Sequence, residues 1–510
     1  MTPSLSLLIL VLGASVAALL AWLGMAGAAQ LTAKRQHGYM HWVIYAMLFL
    51  LALGSLLSQR DLTSNFALPP ELVGMGPAET KHPLMAVLQP VVSLLLLAVA
   101  GERLLTHWLL RKSQPLPALL LAGFALFWLG STASPALLGA HPVLTHDNLY
   151  PLVIGLAAAM ATPRENDLAL RASRNGLLWL MLAGVLLAPF KPTWVMDLKY
   201  SQGLLAGLPR FAGLASHAVS MGLMAQLGLL CLLARPLERR WLNRAAWALG
   251  LAVLLLAQSK TAWLACVLST ATLLLWRHGA QWQRGLLDPL RPDRSMGGVL
   301  FLMAGVALMA GLALFGQVDE RLDRFFNTPE GAQLASLTGR DRIWAIAWDE
   351  WKRHPVFGYG PQLWGEAYRQ SIGMSNATHA HNQFMDTLSR AGSVGAAALL
   401  AYAGLLTWLS VRCARATQGL SLALWLSLLL RATSEVPLLL LGYGSELITH
   451  VLLLMTLASA HTHQRQTKPA VALADRHLGP AAPRVLGRTG APAAMSTART
   501  HRLRPPGRQP

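Results

Sequence analysis

Apolar runs and short polar breaks alternate along this chain with little else between them. The runs fall at roughly 4–28, 41–58, 84–101, 116–134, 148–163, 175–190, 213–234, 245–258, 262–276, 297–316, 394–411, 417–431 and 436–460. Most approach the ~17–25 residues that carry a helix across a hydrocarbon core about 30 Å thick. A helix also satisfies its own backbone polar groups in lipid, which an open strand does not. The pattern therefore predicts an all-α polytopic membrane protein with about 12–13 transmembrane helices. The first run lacks a basic start and is too long for the apolar core of a cleavable signal.

Two segments break the alternation and set the expected organisation: transmembrane helices over 1–316, a long loop over 317–393, further transmembrane helices over 394–460, and a tail over 461–510. In the loop, Arg340 to His354 reads RDRIWAIAWDEWKRH, with Trp344, Trp348 and Trp351 at i, i+4 and i+7 beside Ile343 and Ala347. That spacing is one stripe of a helix, and it suits either a membrane interface or packing on the protein itself. The tail has nine Lys/Arg, a single acid (Asp475), and frequent Pro and Gly. It reads as a disordered basic segment.

Composition agrees with the pattern. Hydrophobic residues make up 54% of 510, charged residues 13%, and the mean hydropathy is +0.43; a soluble chain of this size carries far more charge. The net charge of +19 does not point to nucleic acid, because its Lys and Arg sit between apolar runs or in the tail. Basic connectors (Lys34/Arg35, Arg103 to Lys112, Arg164 to Arg174, Arg235 to Arg244, Arg277 to Arg294, Arg412/Arg415) alternate with less basic ones around 59–82, 135–147, 191–212 and 317–393. The positive-inside rule puts the first set in the cytoplasm and the second, with the long loop, outside. Cys231, Cys266 and Cys413 lie in or beside apolar runs without CxxC spacing, so neither a disulfide nor a zinc site is expected.

The densest polar cluster on the outer side is Thr378-His379-Ala380-His381-Asn382, where the loop closes onto a span. A histidine there can take a proton near neutral pH. Two His at i, i+2 without a partner carboxylate or thiol are a weak metal signal, and no metal or cofactor is expected. Arg210 in GLPRFAGLASH, with His217 beyond it, Lys260 in AQSKTAW, and Arg340 and Arg342 at the start of the Trp helix add cations on the same side. Singly, each reads as a side chain snorkelling to the headgroups. Together they suit an anionic group such as a diphosphate.

The string from Thr338 to Gly395 (TGRDRIW…HPVFGYGP…HAHNQFMDTLSRAGSVG) resembles the signature region of the O-antigen ligase and polymerase superfamily. His381 and Asn382, nine residues, then Gly392 and Gly395 match that family's His-[Asn/Ser/Gln]…Gly-x-x-Gly pattern without a gap. Arg340-Asp341-Arg342 is similar to its loop arginines, Arg210 with Gly213 and His217 to its upstream arginine motif, and Ser259-Lys260 to a Ser-Arg/Lys pair. The likeness covers roughly 205–400; the first 200 residues match in hydropathy alone, and the long basic tail departs from the pattern.

The resemblance implies an enzyme of the bacterial inner membrane whose active site faces the periplasm. Its donor would be an O-antigen polysaccharide on undecaprenyl diphosphate, and its acceptor a sugar hydroxyl of lipid A-core, both reached from membrane lipids. By that likeness His381 is the base, Arg210, Lys260, Arg340 and Arg342 hold the diphosphate, and His217, His379, Asn382, Gly392 and Gly395 support them. A diphosphate is already a good leaving group, so a base and cations suffice for one inverting, metal-independent displacement. An O-antigen polymerase or a protein O-oligosaccharyltransferase would share this inventory. A transporter would instead place ionisable groups in broken helices at mid-membrane.

Overall fold

The computed structural model of the chain describes residues 3–35, 38–62, 82–110, 117–198, 208–287, 340–374 and 377–477. The expected span at 297–316, residues 317–339 of the loop and residues 478–510 of the tail lie outside them. Within the described residues the backbone is helical apart from connectors and one two-residue antiparallel pairing. The all-α, polytopic expectation holds.

A helix stands at each expected run that falls in the described residues. They are α1 (Pro3–Arg35), α2 (Met40–Leu57), α3 (Pro83–Leu110), α4 (Ala118–Trp128) running on into α5 (Ser134–Leu138), α6 (Leu149–Ala158) and α7 (Pro163–Leu187). After the single turn α8 (Pro192–Val195) come α9 (Ala218–Ala234), α10 (Arg240–Leu256), α11 (Lys260–Leu287), α12 (Arg340–Arg353), α13 (Glu366–Ser371), α14 (Gln383–Cys413), α15 (Leu420–Ala432) and α16 (Leu447–His477). Among the described residues, four helices are long and apolar enough to cross a membrane: Met40–Leu57, Pro83–Trp108, Ala118–Leu138 and Gln383–Cys413. Large apolar side chains face outward, as lipid demands: Val87 and Leu94 are 67% exposed and Trp179 68%.

Two expectations change at element boundaries. The run read as a span from 436 begins as helix only at Leu447. Pro437 has no N–H to donate, and Gly442 takes φ +67, so 433–446 forms a folded connector. The sequence pattern places the loss of structure at 461, yet α16 continues to His477. By contact the chain divides into two compact units, 1–465 and 466–510.

The core of the first unit is built from α2, α3, α4, α6, α7, α9, α10, α11, α14, α15 and α16. The α4–α5 junction passes through a π-helical turn, Leu129–Ala133, ahead of Pro135. Such turns re-aim a helix by releasing one backbone bond. Gly130 in that turn lets α14 approach until Ala398 would meet any Cβ at 2.5 Å. All three cysteines are buried and free.

The connectors form two sets. At one end 58–62, 139–148, 188–198, 208–217, 257–259, 354–374, 377–382 and 433–446 tie to one another: His141 N–H to Tyr359 O at 2.7 Å, Gly442 N–H to Asp147 O at 2.8 Å, Leu62 N–H to Thr193 O at 3.0 Å. At the other end the basic connectors meet. Glu165, wholly buried, accepts from Gly38 N–H (3.0 Å) and from the N–H and hydroxyl of Thr162 (2.8 and 2.9 Å), and pairs with Arg103 at 3.4 Å. Asp167 there bridges Arg171 at 2.8 Å and Arg235.

Candidate active site

The histidines sit on the turn that starts α14. Asn382 is its N-cap, accepting from Met385 N–H at 3.1 Å, which satisfies one of the donors a helix start leaves free. The residue between the two histidines is pinned on both backbone groups. Ala380 N–H donates to Asp386 Oδ1 at 2.9 Å, and Ala380 O accepts from Trp344 Nε1 on α12 at 2.8 Å. Asp386, buried, also holds Arg390 at 2.8 Å, and Arg390 donates on to Pro361 O at 2.6 Å. The consequence falls on His381, which is held at φ +49. A non-glycine residue is rarely found there unless its surroundings impose it, and such strain clusters at functional sites.

The downstream glycines have a mechanical reason. Gly392 takes φ +63 inside α14 and opens the helix. The bonds lost there are exchanged with the HPVFGYGP segment: Tyr359 N–H goes to Ser389 O (3.0 Å), Gly360 N–H to Arg390 O (2.9 Å), Ser393 N–H to Pro355 O (2.8 Å) and Val394 N–H to Val356 O (3.2 Å). A Cβ on Gly392 would lie 2.4 Å from the Val356 carbonyl. One on Gly395 would meet Ala391 at 2.2 Å and Gly130 O at 3.4 Å. The paired glycines thus lock the loop to the membrane helix just below the histidines.

Opposite them stands Glu435, in the connector between α15 and α16. It is 6% exposed. His379 Nε2 lies 3.2 Å from Glu435 Oε2, while His381 Nδ1 lies 3.8 Å from the same oxygen. Burial alone would push the Glu435 carboxyl up, but the two imidazoles, His379 first, outweigh it and hold the group well below the usual carboxylate range. The histidines differ in what they have left. His381 N–H donates to His379 Nδ1 at 3.1 Å, so His379 must carry its proton on Nε2, aimed at Glu435. Both of its nitrogens are committed. For His381, 3.8 Å is an ion-pair separation rather than a hydrogen bond, and its buried Nδ1 has no hydrogen-bond partner.

Cations and a third imidazole complete the recess. A short strand, Met196–Asp197 (β1), pairs antiparallel with Arg210–Phe211 (β2), setting Arg210 opposite Asp197. Arg210 Nε donates to Ala257 O at 3.0 Å. Arg60 clamps the same connector by donating to Gly213 O and Ser216 O, both at 2.8 Å, and to Trp194 O at 3.1 Å. His217 caps α9, its Nδ1 accepting from Ser220 N–H at 3.3 Å. Its Nε2 lies 3.1 Å from Ser220 Oγ, and the protein around it desolvates the imidazole and lowers its pKa; Arg210, His379 and His381 act the same way, against Glu435. Ser220 Oγ donates to Glu446 at 3.3 Å, and Glu446 pairs with Arg431.

Arg210, His379, His381 and Glu435 therefore gather around His217, with the two loop histidines directly against Glu435. The other expected cations stand further out. Lys260 is exposed at the first turn of α11, three residues beyond the carbonyl that Arg210 holds. Arg340 and Arg342 open α12; Arg342 reaches Ile372 O at 3.5 Å, and among the described residues neither bonds to the histidines. The Trp stripe is divided between packing and exposure. Ile343, Trp344 and Ala347 pack in a small core with Leu363, Trp364 and Ala380, whereas Trp348 is 43% exposed. Glu435, Arg431, Glu446 and Arg60 are the partners that the residue patterns did not flag.

His379, His381 and Glu435 offer ligand atoms within 4.8 Å of one another, a donor set that a divalent cation also accepts.

Residues 245–400 match the sequence family described as O-antigen ligase. The match takes in this segment alone, less than half of the chain. It contains Lys260, Arg340, Arg342, both loop histidines, Asn382, Gly392 and Gly395, and stops short of Arg210, His217 and Glu435, which the fold adds to it. A comparison with curated proteins gives no match. Among solved structures, a chain from a peptidoglycan synthase complex, described as coordinating polymerization and crosslinking, is similar at 19% identity. The likeness covers 68% of this chain and 98% of that one with a TM-score of 0.35, and supports no functional transfer.

Proposed function

We propose that the chain is an O-antigen ligase of the bacterial inner membrane, its histidine end in the periplasm, moving polysaccharide from undecaprenyl diphosphate to lipid A-core. The observation that carries this reading is the unequal state of the two loop histidines: His379 is spent between His381 N–H and Glu435, whereas His381 Nδ1 stands 3.8 Å from Glu435 without a hydrogen bond. With Nδ1–H turned to the Glu435 carboxylate, His381 presents an unprotonated Nε2 to an acceptor hydroxyl. The acceptor oxygen attacks the anomeric carbon while its proton passes to Nε2, and Glu435 balances the imidazolium that forms. The bond from the anomeric carbon to the diphosphate breaks, and the electron pair leaves on the diphosphate. Arg210 and Lys260, with Arg340 or Arg342 brought in by the donor, hold that charge. One displacement inverts the anomeric centre.

The experiment is lipopolysaccharide gel profiling of a deletion strain. A ligase leaves core without O-antigen bands while lipid-linked polymer accumulates. A core-plus-one-unit band would assign the chain to the polymerases instead, and protein glycans lost with lipopolysaccharide intact would assign it to protein transfer.

The clustered ligand atoms of His379, His381 and Glu435 favour a second reading, in which a divalent cation activates the acceptor. Chelation separates the two. Transfer by purified protein in EDTA is expected to stay within about twofold of the untreated rate, since a His base and Arg/Lys cations need no metal. Loss on chelation with recovery in Mg²⁺ or Zn²⁺ would replace the base with a metal.

A further inference from the structure

A second built cavity lies at the opposite end of the bundle, where the basic connectors meet. Its volume is about 340 Å³, within the range of small-ligand sites, and it is lined among others by Asn166 of α7, Arg235 and Arg277 after α9 and along α11, Thr417 before α15, and Ser459 of α16. Among the described residues no Asp or Glu lines it. Arg277 donates through Nη1 to Leu233 O at 3.1 Å, but its Nε is buried without a hydrogen-bond partner. Arg235 is close enough for its charge to act on Arg277. Asn166 Oδ1 is occupied by the Thr456 hydroxyl at 3.2 Å, which leaves its amide hydrogens as donors. Arg235 is already ion-paired with Asp167 through Nε, so the orphaned Nε of Arg277 is the donor left to stabilise an anion that enters the cavity.

We propose that this cavity binds a phosphate group between Arg235 and Arg277, with the Asn166 amide and the Ser459 hydroxyl as neutral donors. Arginine forks match phosphate oxygens in pairs. Both a phospholipid headgroup and a free phosphate carry this chemistry. No step of glycan transfer uses the site, so it stands or falls independently of the proposed activity.

The test uses full-length protein in detergent and measures its melting temperature with added inorganic phosphate, with phosphatidylglycerol, and with phosphatidylcholine. A ligand that binds the native state stabilises it by mass action. Arg277→Gln removes the orphaned donor and one charge; Ser459→Leu fills the cavity and leaves the charges alone. Saturable stabilisation by phosphate identifies the free anion as a ligand, and stabilisation by phosphatidylglycerol beyond phosphatidylcholine identifies the headgroup. In either case the apparent affinity should fall about tenfold or more in both variants. No stabilisation by phosphate or phosphatidylglycerol, or undiminished binding in either variant, overturns the proposal.

Discussion

The two ends of the bundle each bury a glutamate, and the contrast between them separates structure from chemistry. Glu165, at the basic end, has every strong acceptor direction answered: Gly38 N–H on one oxygen, and Thr162 N–H, Thr162 hydroxyl and Arg103 on the other. It completes the capping box of α7 and ties Gly38, before α2, and Arg103, on α3, to that helix start. Glu435, at the loop end, is equally buried but faces two histidines of unequal commitment, one of them in a left-handed backbone conformation with an unpartnered nitrogen. A satisfied buried network rigidifies. An incompletely satisfied one, held under strain by Trp344 and Asp386, has capacity left for a substrate.

Breaking the loop end should cost rate rather than fold. Arg210→Gln and Lys260→Gln are each expected to lower transfer by about 10²–10³, the cost of losing one donor to developing negative charge; purified protein with lipid-linked donor gives the rate. Variants within a few-fold of the wild type would reduce these cations to snorkelling residues. Breaking the basic end should do the reverse. Glu165→Gln is expected to destabilise by about 3 kcal/mol, since it strips Arg103 of its buried partner. Transfer per folded molecule should be unchanged, and a loss of rate without a loss of stability would erase the distinction drawn here.

Glu435→Gln sharpens the contrast with a smaller effect, about 10–10² in rate, because His381 keeps its nitrogen but loses the charge that balances the imidazolium. The same variant has a pH signature. The folded Glu435 carboxyl lies below its ordinary value of 4.5, so its stabilisation is fully present above that pH and fades as pH falls through the folded value. The melting-temperature gap between wild type and Glu435→Gln should therefore shrink as the pH is taken below that ordinary value. A gap that widens on acidification would mean that the carboxyl is protonated in the fold.

Much of this fold and site is legible in the sequence because it is local. The apolar period marks the helices, and His381, Asn382, Gly392 and Gly395 lie in one continuous string whose spacing reflects a capped helix opened at a glycine. Arg210 and His217 are legible as outer cation and imidazole near a span, although a strand pairing with Asp197 and a clamp from Arg60 are what bring them to the loop. Glu435 is hidden for a physical reason. It abuts an apolar run that reads as a span, and the run is interrupted by Pro437 and the bend at Gly442 so that helix starts only at Leu447. A carboxylate four residues after Arg431, at the edge of an apolar run, is a costly pair to keep without use. That is the available signal. The split of the Trp stripe between an inward Trp344 and an outward Trp348 is not readable either, because periodicity identifies a face and not what covers it.

The most direct test compares two single variants, His381→Ala and His379→Ala, for rate of polysaccharide transfer by purified, EDTA-treated protein, with donor binding and melting temperature as controls. His381→Ala should lose about 10²–10⁴ in rate, the usual contribution of a general base, while donor binding persists. His379→Ala should retain at least a tenth of the wild-type rate, having lost a contact that orients Glu435 and not the proton acceptor. A dead His379→Ala beside an active His381→Ala would reverse the assignment, and full activity in both would show that the acceptor loses its proton to another group.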